Sequence, residues 1–150
     1  MDLELLEWLN THTFPEEAKY SNEVYAKRAY TMYVEELKKS DVTRAVIFAT
    51  MHVDGTKILM ELLEKSGLSA YVGKVNMDRN GGKDLEEKSA EKSLEETKRW
   101  LAETDGRFRH VRPILTPRFI PSCTDELMRG LAELQREKNC RYSLTYLKSR

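Results

Sequence analysis

The sequence predicts an α/β fold in which about three parallel strands alternate with helices. Three runs rich in β-branched and aromatic residues predict the strands, over residues 42–50, 70–77 and 110–116. Each run is followed by a stretch with the apolar periodicity of a helix. Because strands separated by helices pair in parallel, the three are expected to share one sheet that is covered on both faces.

The turn after the first strand distinguishes a barrel segment from a doubly wound domain, which has the same order of elements. A dinucleotide-binding domain places a glycine-rich turn there, whereas "FATMHVDG" contains one glycine. The sequence therefore favours a partial (β/α)8 TIM-barrel arc. A complete barrel has eight strands and about 250 residues. A chain of 150 residues is expected to form only part of one, as a single segment.

Apolar periodicity also predicts where the helices begin and end. One helix precedes the strands, over residues 21–39. The next is expected to begin at an Asp54 cap and to end at Gly67. The last is expected to follow a capping pair of Ser122 and Asp125.

The stretch "MDRNGGKDLEEKS" (77–89) resembles a linker between the second strand and its helix. It contains a glycine pair and a run of charges, but not the lysine and hydroxyl of a phosphate-binding P-loop. The composition therefore predicts a solvated loop rather than a phosphate site.

Charge and apolar patterning exclude several classes of partner. Lys plus Arg and Asp plus Glu each number 25, so there is no basic excess for nonspecific binding to nucleic acid or membrane surfaces. The apolar runs are too short to span a bilayer, and the start "MDLELLEWL" is too acidic for a signal peptide. We therefore expect a cytoplasmic chain with no nucleic-acid or membrane partner. Cys123 and Cys140 are expected to be reduced.

No catalytic or metal-binding set can be assembled from motifs. The histidines His12, His52 and His110 show none of the spacings typical of zinc ligands. The sequence also contains no GxSxG elbow, no CxxC and no P-loop. We therefore predict no catalytic residue and no metal ligand in this chain.

Positions just after the predicted strands are the remaining candidates, because barrels carry their active sites at the carboxyl ends of the strands. Each has a structural alternative: a helix cap for Asp54, a hydrogen-bonded loop residue for His52, and a turn cap for Asp78. The candidates at this rim are His52, Asp54, Met77, Asp78, Arg118 and Phe119.

Arg118 and Phe119 are the predicted substrate-binding residues. Pro117 and Pro121 stiffen the loop that carries them and so restrict where the guanidinium points. An arginine fork can donate two parallel hydrogen bonds, as it does to O6 and N7 of guanine, and an aromatic ring offers a stacking face. The pair therefore suits a planar ligand. The alternative is that Arg118 only pairs with a surface carboxylate.

Four strings occur in an order that resembles the guanine deaminase family, zinc enzymes of the amidohydrolase superfamily. The resemblance runs from residue 2 to about 139, and the strings are specific in combination. They are "LLEWLNTHTFPEE" (5–17), "FATMHVD" (48–54), "YVGKVNMDRN" (71–80) and "RPILTPRFIPSC" (112–123).

This resemblance implies a (β/α)8 barrel, cytoplasmic purine metabolism and hydrolysis of guanine to xanthine and ammonia. It also implies that Arg118 and Phe119 contact the purine. In the family, zinc-bound hydroxide attacks the amino-bearing carbon while a glutamate transfers protons. The family's zinc ligands lie outside this sequence, upstream of Met1 or beyond residue 139. We therefore expect a fragment that binds no zinc and is inactive alone.

Two further expectations concern association and an alternative function. Unpaired strand edges of an incomplete barrel favour association, so a homo-oligomer is one expectation. The alternative to an enzyme fragment is a noncatalytic α/β module that has kept the arc for binding or interaction.

Residues 140–150 ("CRYSLTYLKSR") depart from the family, whereas residues 1–139 follow it. Codons exist for this tail that, read one nucleotide earlier, encode Leu-Pro-Val-Gln-Ser-His-Leu-Ser-Glu, which resembles the family's fifth strand. Because most residues have several codons, this means that one nucleotide sequence can encode the tail in one reading frame and the family's phrase in the neighbouring frame. We interpret the tail as the product of a frameshift.

Overall fold

A computed structural model describes residues 7–82 and 85–144 of the chain. It confirms the predicted α/β arc of parallel strands. The predicted strand over 70–77 is interrupted at Lys74, and a further short strand lies in the tail. The strands are β1 (Arg44–Phe48), β2 (Ser69–Gly73), β3 (Val75–Asn76), β4 (Val111–Pro117) and β5 (Arg141–Tyr142).

All strand pairs in the described sheet are parallel, as the alternation with helices predicted. β1 pairs with β2, and β2 pairs with the first half of β4. β3 pairs with the end of β4, while β5 pairs with the opposite edge of β4. The chain therefore adds strands in sequence order around an arc, as successive βα units of a barrel do.

Helices cover one face of this sheet. The core between the sheet and the helices consists of fully buried side chains. They include Val72 and Leu115 from the strands, and Leu63, Trp100 and Leu131 from the helices. None of the helices in the described part of the chain has the length and apolarity needed to cross a membrane. The α-helices are α1 (Phe14–Ala18), α2 (Glu23–Lys39), α3 (Val53–Ser66), α4 (Ala90–Thr104) and α5 (Asp125–Lys138).

Two of the predicted helix caps are wrong. α3 begins at Val53 with His52 at the cap position, so Asp54 already lies in the first helical turn. Its carboxylate there interacts favourably with the positive end of the helix dipole, but it does not cap the helix. α5 is capped by Thr124, whose side chain accepts from the N–H of Leu127 at 3.2 Å. Ser122 lies instead in a 3₁₀ turn.

The predicted end of α3 at Gly67 is confirmed. Its φ of 78° is left-handed, a conformation that glycine adopts without steric cost.

Gly73, the last residue of β2, lies against the side chain of Thr116 in β4. A Cβ at this position would overlap the side chain of Thr116. We expect Gly73→Ala to lower the free energy of unfolding by about 1–3 kcal/mol, because the two strands cannot separate without loss of their hydrogen bonds. Urea unfolding followed by circular dichroism measures this. Ser69→Ala, at an exposed position of the same strand, is the control, and equal stability of the two variants would contradict the prediction.

Candidate functional site at the carboxyl ends of the strands

The carboxyl ends of β1, β3 and β4 lie side by side at one edge of the sheet. The N–H of Val75 donates to the carbonyl of Thr50 at 3.0 Å, and the N–H of Arg118 donates to the carbonyl of Asn76 at 3.1 Å. The segments that follow β1 and β4 are therefore each joined to β3 by a backbone hydrogen bond. This brings the predicted rim positions after these strands to one edge.

The guanidinium of Arg118 is held by the helical segment near the start of the chain. Nη1 donates to Oε2 of Glu17 at 2.5 Å, and Cζ lies 4.8 Å from the ring centroid of Phe14. The two side chains of the ion pair are only 17% and 15% exposed. Arg118 thus does pair with a carboxylate, but the pair is mostly buried rather than a solvated surface contact.

Only one nitrogen of the Arg118 fork is used by this pair. Nε and Nη2 donate no hydrogen bond within the described residues, so they remain as donors for a ligand. Because Glu17 and Phe14 restrict the guanidinium, it loses less conformational freedom when a ligand binds.

Phe119 follows with an extended backbone and a ring that is 5% exposed. Its carbonyl accepts hydrogen bonds from the N–H and the Oγ of Ser122, both at 3.0 Å. The ring therefore packs within the described residues. Its stacking on a planar ligand stays a prediction.

Asp78 holds the start of α5. Its Oδ1 accepts from the N–H of Thr124 at 2.7 Å, and its Oδ2 accepts from the Thr124 hydroxyl at 2.5 Å. The side chain of Asn80 also donates to the carbonyl of Pro121 at 2.7 Å. The loop after β3 therefore supports the loop that carries Arg118.

A buried ion pair beneath this edge was not predicted from the sequence. Lys74 is 1% exposed, and its Nζ lies 2.6 Å from Oε1 of Glu87. Oε2 of Glu87 accepts from the N–H of Met77 at 3.1 Å and from the hydroxyl of Ser93 at 2.5 Å. The N–H of Glu87 in turn donates to the carbonyl of Met77 at 2.8 Å. Glu87 therefore forms hydrogen bonds with both the N–H and the carbonyl of Met77.

The prediction of a solvated loop over 77–89 is therefore wrong in part. Met77 and Leu85 are fully buried, and Glu87 is 8% exposed. One signal in the sequence could have shown this. A lysine within a strand predicted to be buried requires a carboxylate partner, and the following loop supplies several.

Asn76 connects this ion pair to Arg118. Its Nδ2 donates to the hydroxyls of Ser93 at 2.8 Å and Thr97 at 2.7 Å. Its carbonyl accepts from the N–H of Arg118 and from the thiol of Cys123. The buried polar network therefore reaches the backbone of the residue predicted to bind substrate.

His52 lies at the end of β1 beside this network. Burial lowers the pKa of His52, and the nearby charge of Lys74 lowers it further. Its Nε2 is buried without a hydrogen-bond partner within the described residues. This lowering of the pKa favours the neutral form of the imidazole.

The donor atoms of the described residues do not fit a zinc site. Within residues 7–82 and 85–144, no three His, Cys, Asp or Glu side chains lie close enough to hold a metal ion. Both cysteines are free, and burial raises the pKa of Cys123 to about 11, so its thiol is a poor metal ligand.

Comparisons with known proteins agree with this architecture. A model of the amidohydrolase family matches residues 1–144. The guanine deaminase of Mus musculus is 41% identical over 135 residues, which are 89% of this chain and 30% of that protein. A crystal structure of guanine deaminase from C. acetobutylicum, with guanine bound in its active site, superposes with a TM-score of 0.89 at 45% identity. It is matched over 93% of this chain and 33% of its own.

A more distant structure shares the fold alone. Atrazine chlorohydrolase TrzN from Arthrobacter aurescens, solved in complex with zinc, superposes with a TM-score of 0.68 at 14% identity. The match covers 83% of this chain and 30% of that one.

The present chain spans about 30% of the length of the curated relatives it matches. With the family model matched over nearly all of its residues, the chain belongs to the amidohydrolase family.

Proposed function

We propose that this chain is a segment of a guanine deaminase, an enzyme that hydrolyses guanine to xanthine and ammonia in the cytoplasm. The observation that carries the proposal is the guanidinium of Arg118, which Glu17 and Phe14 restrict at the carboxyl end of β4. The similarity to guanine deaminases over 89–93% of the chain supports it.

Arg118 is proposed to recognise the purine. Its free Nε and Nη2 donors match two adjacent acceptors such as O6 and N7 of guanine. Phe119 is proposed to pack against the same ligand. Zinc and the groups that transfer protons would be supplied by polypeptide outside the described residues, so the chain alone is proposed to be inactive.

A chimera tests this function. In it, the stretch of the C. acetobutylicum guanine deaminase that aligns with this chain is replaced by residues 1–139. The chimera should release ammonia from guanine, whereas the 150-residue chain, purified from a deaminase-deficient host, should not exceed the rate without enzyme. A soluble, zinc-loaded chimera without activity would refute the proposal, as would zinc-dependent activity of the chain alone.

Glu17→Gln in this chimera should raise KM for guanine several-fold. The substitution keeps the shape of the side chain but removes the charge that holds Arg118. Steady-state kinetics measure it, with Glu16→Gln as the matched control, because Glu16 pairs with Lys19 on an exposed surface. If both variants had the same KM as the parent, Glu17 would have no part in guanine binding.

The tail from residue 140 is proposed to arise from a frameshift. β5 pairs with β4 in parallel for only two residues, Arg141 and Tyr142, where a fifth barrel strand would begin. Sequencing the gene tests the idea: the neighbouring frame near codon 140 should encode the Gln-Ser-His phrase and further barrel strands. A gene without them would favour the noncatalytic module instead.

A further inference from the structure

The face of the sheet opposite the helices carries arginines at its amino-terminal end. Val46, Tyr71 and Arg112 lie side by side in register across β1, β2 and β4. Side chains alternate along a strand, so these residues point away from the helix-packed Ala70 and Val111. Arg44, two positions before Val46, shares their side. We call Arg44, Val46, Tyr71 and Arg112 the inner basic face.

The inner basic face is open within the described residues. Val46 is 55% exposed, and Arg44 and Arg112 are also exposed. A depression of about 480 Å³ is lined by these residues together with Arg109 and His110, and its lining contains no carboxylate.

A second depression adjoins the first across Arg112. It measures about 610 Å³ and is lined also by Lys138 and Arg141, with Asp105 as its one acid. Arg141 stacks on Tyr71, its Cζ 4.9 Å from the ring centroid. Neither Arg44 nor Arg112 forms an ion pair within the described residues. The charges of Arg44 and Arg112 are therefore unpaired within the described residues, although the whole chain has a formal net charge of zero.

A parallel sheet requires cover on both faces, and the inner face of a barrel is covered by side chains of its other strands. Purely apolar cover would leave the guanidinium groups buried without partners, which is strongly unfavourable. A second copy of this chain bound through the same face would place its own arginines against these arginines, and the like charges would repel. The cover must therefore bring carboxylates.

We propose that the inner basic face binds the polypeptide that completes the barrel, and that this polypeptide places Asp or Glu side chains opposite Arg44 and Arg112. These pairs select the correct closing strands, because any other cover leaves charges unpaired. The inference rests on the fold and the charge of this face and does not depend on guanine hydrolysis.

Co-purification tests the proposal. The tagged chain is co-expressed with the C. acetobutylicum guanine deaminase from which the aligned third has been deleted and replaced by a Gly/Ser linker. The chain should retain this partner, and Arg112→Glu and Arg112→Met should each lower retention at least tenfold. Arg112→Lys should preserve it. Arg129→Glu, at an exposed position of α5, is the matched control and should behave as the parent chain does.

Three results would overturn the proposal. One is failure of the parent chain to retain the partner. Another is retention by Arg112→Met equal to that of the parent chain, since this would mean that the partner covers the inner basic face with apolar side chains. The last is self-association of the chain that Arg112→Glu abolishes, which would make the occupant a second copy. Retention without ammonia release would leave this inference standing, because the proposed function is tested separately by the chimera, which lacks the tail from residue 140.

Discussion

Lys74→Met is expected to destabilise the chain by about 3–5 kcal/mol, because it leaves the Glu87 carboxylate buried without its counter-charge. Glu87 is 8% exposed, and its remaining partners are the N–H of Met77 and the hydroxyl of Ser93. Such a loss is a large fraction of the stability of an ordinary domain, about 5–15 kcal/mol. Urea unfolding at low temperature, followed by circular dichroism, measures it.

Lys57→Met is the matched control for this substitution. Lys57 lies 2.6 Å from Glu103, the same distance as in the buried pair, but the side chains of the control pair are 24% and 36% exposed. Its removal should cost less than about 1 kcal/mol. The double variant Lys74→Met/Glu87→Gln should recover part of the loss, since no charge then remains buried. Equal costs for Lys74→Met and Lys57→Met would show that burial of the pair has no energetic consequence.

Arg118→Ala in the chimera is expected to lower kcat/KM for guanine by about 5- to 150-fold, the effect of losing about 1–3 kcal/mol from a bidentate contact. Zinc content should not change, because the Arg118 guanidinium contacts Glu17 and Phe14 within the described residues, and the zinc ligands are proposed to lie outside them. Arg118→Lys should recover little of the activity, since a point charge cannot reproduce the planar fork.

The measurements for Arg118 are steady-state kinetics and metal analysis on the same preparations. Arg79→Ala is the control, because its guanidinium donates to the carbonyls of Pro121 and Ile120 on an exposed part of the same edge. Wild-type kcat/KM in Arg118→Ala would reduce Arg118 to a structural partner of Glu17. Loss of zinc in that variant would point to a disturbed fold instead of a lost contact.

Local patterns predicted the strands and helices well because they depend on neighbouring residues. The apolar periodicity over 21–39 predicted α2, and the run at 110–116 predicted β4, each to within about two residues. The capping residues of the helices were predicted less well, since several adjacent residues can serve as the cap. The observed caps, His52 and Thr124, each lie two positions from the predicted caps, Asp54 and Ser122, and backbone conformation decides between them.

The sequence by itself determined the order of parallel strands, the edge on which Arg118 lies and the resemblance to a family, because these follow from spacing along the chain. Only the tertiary structure decided which side chains meet. Arg118 pairs with Glu17, 101 positions away, and Lys74 with Glu87 across a loop predicted to be solvated. Such contacts depend on how strands register and helices dock, which is set by packing of the whole core and has no local signature in the sequence.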